Sequence, residues 1–190
     1  EANSLRLRFG SCNLPSGSYL VMTSLADGGS QRLDADSLAA WSFYSAVFNG
    51  GEVRIELFAA ANSHANRVVL TQLEVGLEIG SLPTDDLCGA DDRQPQPLAA
   101  IGRQYPTGCT VWLANDFTAV TAGHCTRTAG GQIHFNVPPS SSTGVPRFPH
   151  PDDQYPYEAG TLMTLDNGPG KDWSVSRVAP NSNTGLYPGQ

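Results

Sequence analysis

The chain has 190 residues, 39% of them hydrophobic, and a net charge of −7 with 11 lysines and arginines. That size holds one large domain or two small ones, and the apolar fraction is inconsistent with global disorder. The acidic balance without a basic cluster excludes a nucleic-acid partner, and no apolar run approaches the roughly 18 residues that a membrane-spanning helix needs.

Taken in chain order, the first predicted element is Ser4-Leu5-Arg6-Leu7-Arg8-Phe9, where apolar and charged side chains alternate. Val53-Arg54-Ile55-Glu56-Leu57 and Leu73-Glu74-Val75-Gly76-Leu77-Glu78 repeat that pattern. Period-two alternation predicts strands with one buried and one wet face. Asp36–Trp41 is long enough for one helical turn. Asn49-Gly50-Gly51, between Trp41–Phe48 and Glu52–Ala60, predicts a hairpin. His64 falls in a loop between strands. Several short strands at this spacing predict an antiparallel β-sandwich, jelly-roll-like, over about residues 1–80.

Residues 81–97 are rich in proline and acid, which oppose both helix and sheet, so they are expected to form a linker. Asp85, Asp86, Asp91 and Asp92 within it are read as solvated acids rather than a calcium site. From residue 98 short strands return, at 109–114, 117–121, 132–137 and 172–178. A long Pro/Ser/Gly-rich connection runs through Pro138–Pro156. The fold class is therefore all-β.

One segment carries chemistry. Thr121-Ala122-Gly123-His124-Cys125 follows an apolar lead-in at Val120 and has Cys109 upstream. It resembles the histidine segment of the trypsin/chymotrypsin-like serine proteases, where the histidine is the general base. The resemblance implies that residues 98–190 form the first of that family's two β-barrels. It also implies that 1–80 is an accessory module, similar to small sandwiches that precede catalytic domains in some secreted bacterial proteases. In that family an aspartate follows the histidine and precedes an alternating apolar strand. Asp172, in Lys171-Asp172-Trp173-Ser174-Val175, has that order and setting. Catalytic roles for His124 and Asp172 are thus what the resemblance implies. Such a site needs a neutral imidazole to activate a hydroxyl and a carboxylate to hold the imidazole in the right tautomer.

Other residues are read more plainly. Asp166, in Asp166-Asn167-Gly168, is a turn residue. His134 alternates with Ile133 and Phe135 and is expected to face solvent on a strand. His150 is expected in a surface loop. No metal site and no cofactor are expected, because the histidines and cysteines show no ligand spacing.

Four cysteines allow three pairings and fit an oxidising compartment, secreted, extracellular or periplasmic. The resemblance selects Cys109–Cys125, which leaves Cys12 with Cys88 by arithmetic, or Cys88 with a cysteine in a missing C-terminal part. A nucleophile is missing. Ser140, Ser141 and Ser142 lack the flanking glycines that present a hydroxyl and its oxyanion hole, and Ser174 and Ser176 belong to the strand after Asp172. The resemblance implies that the serine and the second barrel lie beyond Gln190 and that this chain alone is inactive. The expected function is a secreted trypsin-like serine endopeptidase acting on polypeptides. Its expected partners are a polypeptide substrate or the missing barrel, or another chain through self-association. The alternative is a non-catalytic extracellular binding or assembly protein built on a protease fold.

Overall fold

The computed structural model describes residues 2–77, 98–114, 117–126, 130–141 and 144–190. The fold is all-β, with antiparallel sheets and one short helix among the described residues.

The first part holds β1 (Ala2–Phe9), β2 (Tyr19–Ser24), β3 (Ser30–Leu33), α1 (Ala35–Ala40), β4 (Tyr44–Asn49), β5 (Val53–Phe58) and β6 (Leu70–Leu77). They form two three-stranded sheets, in orders β4-β1-β6 and β3-β2-β5. Leu7, Phe9, Leu20, Met22, Leu33, Ala46 and Phe48 point into one core. Leu20, Met22 and Leu33 are 0% exposed. Each such side chain contributes about 1.5–3 kcal/mol through removal from water. The six-residue helix begins with a reciprocal cap: Ser37 N–H donates to Asp34 Oδ1 at 2.9 Å, and Asp34 N–H donates to Ser37 Oγ at 2.8 Å. Two helix-end donors that water would otherwise take are satisfied this way.

Two sequence expectations fail in this part. The predicted hairpin at Asn49-Gly50-Gly51 does not form, because β4 pairs with β1 and β5 pairs with β2. The glycine-rich turn carries the chain between sheets; Gly50 adopts φ +84 and its N–H donates to Asn3 O. Arg6, expected on a wet strand face, is 2% exposed. The alternation is real, but both faces of β1 are covered.

The second part contains β7 (Ile101–Tyr105), β8 (Thr110–Leu113), β9 (Thr118–Thr121), β10 (Gln132–His134), β11 (Gln154–Pro156), β12 (Met163–Asp166) and β13 (Asp172–Arg177). They form one curled sheet in the order β11-β10-β7-β8-β9-β13-β12. Val111, Ala119, Ile133, Phe135, Tyr155 and Val178 fill its concave side. The strands expected at 109–114, 117–121, 132–137 and 172–178 are found with shorter bounds, and β7, β11 and β12 were not anticipated. The expected linker, its four aspartates and Cys88 lie outside the described residues.

A polar seam joins the two parts. β4 and β3 are edge strands, and an edge presents unpaired backbone groups. Side-chain amides take the place of neighbouring strands. Gln154 accepts from Val47 N–H at 2.8 Å and donates to Val47 O at 2.8 Å. Asn183 accepts from Arg32 N–H and donates to Ser30 O, both at 2.7 Å. Asn49, on β4 itself, pairs in the same two-way fashion with the backbone of Phe148. Gln132 donates to Ser45 O at 2.6 Å. Gln132 and Gln154 are at most 1% exposed. Buried amides of this kind are tolerated because both of their polar ends are matched.

The convex side of the curled sheet is covered by the seam at β10 and β11 but carries an apolar, partly exposed row across β7, β8, β9, β13 and β12. Register aligns Ile101 with Trp112, Trp112 with Val120, Val120 with Val175 and Val175 with Met163. Trp112 is 51% exposed and Met163 62%.

Candidate active site

His124 lies in the 3₁₀ turn Gly123–Thr126, which begins two residues after β9 ends. The neighbouring strand β13 starts at Asp172. Register places Ser174 opposite Thr121, so Asp172 arrives beside the turn. The separation of 48 residues in sequence is therefore closed by one strand pairing.

The Asp172 carboxylate binds His124 twice. Oδ1 accepts from the His124 backbone N–H at 2.9 Å, and Oδ2 lies 2.6 Å from Nδ1. The His124 backbone N–H, followed by its imidazole, holds the Asp172 carboxyl below its usual pKa. An ionised carboxylate only accepts, so the ring proton sits on Nδ1 and the Nε2 lone pair is left on the far side of the ring. The imidazole is 57% exposed and Asp172 27%. Among the described residues no hydroxyl bonds to Nε2 of His124.

The turn is fixed from several sides. Cys109 and Cys125 form a disulfide with a Cα–Cα distance of 6.2 Å, inside the range such bonds require. The Gly123 carbonyl accepts from Thr126 Oγ1 at 3.1 Å and Thr164 Oγ1 at 3.3 Å. Thr107 Oγ1 donates to Cys125 O. Glycine is required at 123, because a Cβ there would meet the Leu165 carbonyl carbon at 2.8 Å and Trp173 O at 2.9 Å. Thr164 and the Leu165 carbonyl were missed by sequence reasoning because β12 carries no strand signal of its own.

The remaining histidines are distributed as follows. His150 is exposed and its ring accepts from Asp152 N–H, as a surface-loop residue would. His64 is exposed in its loop. His134 is a correction: it is 0% exposed, covered by the seam, where solvent exposure was expected. Asp166 ends β12 at the turn into β13, opposite Asp172. Cys12 has no disulfide partner among the described residues, and the expected partner Cys88 is outside them. Cys109, Cys125 and His124 cluster closely, but the two sulfurs are bonded to each other, which leaves only the imidazole as a metal ligand. A cavity of about 220 Å³ lies behind the turn, lined by Trp41, Thr126, Gly130, Tyr157 and Glu158 among others, and neither His124 nor Asp172 borders it.

Comparison of the chain with known protein families, curated proteins and solved structures returned no match in any of the three. No helix among the described residues is long and apolar enough to cross a membrane.

Proposed function

We propose that this chain supplies the general base and its orienting carboxylate to a secreted serine endopeptidase of the trypsin-like kind. The observation that carries the reading is the two-point hold of Asp172 on His124, at 2.9 and 2.6 Å. A carboxylate bonded to Nδ1–H leaves Nε2 basic, able to take a proton from a serine and return it to a leaving amine. In this reading Asp172 also stabilises the imidazolium formed during attack. The disulfide beside His124 suits an oxidising compartment. The hydroxyl and the oxyanion hole come from a part of the protein other than the described residues, and residues 1–190 alone do not hydrolyse peptides.

The test is kinetic, on the protein as its source produces it. His124→Ala and Asp172→Asn should each lower kcat on a peptide substrate by about 10⁴-fold. Hydrolysis within tenfold of the unaltered protein in both variants would refute the proposal. For the 190-residue chain, a fluorophosphonate label lost on one Ser→Ala change would show that the nucleophile lies within it.

One observation favours a second reading, an extracellular assembly protein without catalysis. The convex row Ile101, Trp112, Val120, Val175 and Met163 is a contiguous open apolar stripe, and such stripes on proteins commonly mark contact surfaces. Sedimentation separates the two readings. A self-association abolished by Trp112→Glu, together with unchanged peptide hydrolysis in His124→Ala, would favour assembly.

A further inference from the structure

The polar seam contains a group the chemistry above does not use. His134, on β10, is 0% exposed. Its ring stacks on Tyr105, with centroids 5.4 Å apart, and meets the edge of Phe148 at 5.8 Å. Its Nε2 lies 3.3 Å from Gln132 Oε1. The Gln132 amide nitrogen is committed to Ser45 O, so its oxygen must accept and His134 Nε2 must carry the proton. Nδ1 is therefore a bare lone pair, and it has no hydrogen-bond partner.

Two cations surround this ring. Arg103 is its register partner on β7 and lies over Phe148 at 5.2 Å. Arg6 reaches in from β1, lies over Tyr105 at 5.2 Å and Tyr44 at 4.3 Å, and donates to Gly130 O. The facing groups from the other elements are neutral or already engaged. Gln154 on β11 is an amide bonded to Val47. Tyr44 on β4 and Tyr105 on β7 are phenols, the latter pushed above its usual pKa by burial. Glu74 on β6 is a carboxylate already paired with Arg6 at 3.5 Å. Burial, then Arg103 and Arg6, hold the His134 pKa well below its usual value.

We propose that His134 is an acid-operated latch on the seam. A proton has only Nδ1 to occupy. There it creates a buried donor without an acceptor and a third positive charge beside two guanidiniums. Arg103 shares the sheet of His134 and cannot leave without breaking β7–β10 pairing. Arg6 belongs to the other part of the molecule. Relief comes from withdrawing Arg6 and β4, which opens the seam to water.

The sign follows from linkage. The closed state binds the proton more weakly than the open one, so closure is fully stabilised above the ordinary histidine pKa of about 6.5 and loses stability as pH falls below it. At pH 5 the opening equilibrium is favoured by about 30-fold over its value at pH 7.5, for one histidine neutral only when closed.

The experiment is amide exchange and histidine-ring NMR on the 190-residue chain between pH 7.5 and 5. Protection of the Val47 and Arg32 amides, which donate across the seam, should fall about 30-fold after correction for intrinsic rates, while Val111 and Ala119 keep theirs. The His134 ring should show no titration near pH 6.5 in the closed state. His134→Gln and His134→Phe should flatten the pH dependence. An ordinary titration of the His134 ring overturns the proposal. So does equal loss of protection at Val111 and Val47. Should the variants fail to fold, the unaltered chain decides alone through these two readouts.

Discussion

Asp172 shows how much one side chain fixes at the residue scale. It orients a ring and pins the backbone that carries the ring. Gly123, its neighbour across the pairing, is constrained by carbonyls of two strands. Gly123→Ala should destabilise the chain by about 1–3 kcal/mol, since the added methyl forces the backbone apart. Urea unfolding measures it; an unchanged midpoint would mean that β12 yields freely. Among the described residues, the carboxyls of Asp27, Asp34 and Asp172 sit below the usual aspartate pKa. In Asp172 the His124 N–H is the main cause, and in Asp34 the Ser37 N–H. In Asp27 burial pushes the other way but is outweighed by bonds from Asn49, Gly29 and Ser24. Depressed carboxyls contribute stability above the unfolded pKa of about 4 and lose it as pH falls through their folded values. Thermal midpoints should therefore drop below pH 4, and Asp34→Asn should lessen that drop.

At the scale of elements, the His124 turn and the seam depend on different devices. The Cys109–Cys125 bond closes a loop with a separation of 16 residues. Replacing both cysteines with serine should cost about 2–4 kcal/mol through the freed unfolded chain, with loss of the His124–Asp172 contact before the sheet melts. The amide caps on β4 behave otherwise. Gln154→Leu strips partners from Val47 N–H and C=O at once, at about 1–3 kcal/mol for each buried group left unmet. Val47 exchange should accelerate accordingly; protection at the unaltered level would show that water replaces the amide without loss. The sequence made some of these elements legible and concealed others. β1, β5, β6, β8, β9 and β13 carry alternation or an apolar run. β11 is Gln-Tyr-Pro inside a proline-rich stretch, and its structure comes from pairing with β10 rather than from local preference. The Asn-Gly-Gly turn looked like a hairpin because turn chemistry specifies a reversal without specifying which strand is met afterwards.

On the scale of the whole molecule, the two parts keep separate hydrophobic clusters and are joined by side-chain hydrogen bonds from Gln132, Gln154, Asn49 and Asn183. That is why the junction is invisible in sequence: a buried glutamine and a solvent-facing one read alike, and the alternation that predicts a wet face for His134 and Arg6 carries no sign of the second part that covers them. The site was more legible than its surroundings, because the five-residue histidine motif and the strand after Asp172 each carry local signal, and one strand pairing unites them. Circular dichroism should show a sheet spectrum with minimal helix. The central claim is that this architecture holds His124 as a base with Nε2 free. The measurement that reaches it most directly is the long-range proton–nitrogen NMR spectrum of the His124 ring at alkaline pH. The account predicts a neutral ring protonated on Nδ1, and reversal to the Nε2–H form in Asp172→Asn. A ring protonated on Nε2 in the unaltered chain, or one indifferent to Asp172→Asn, would contradict it.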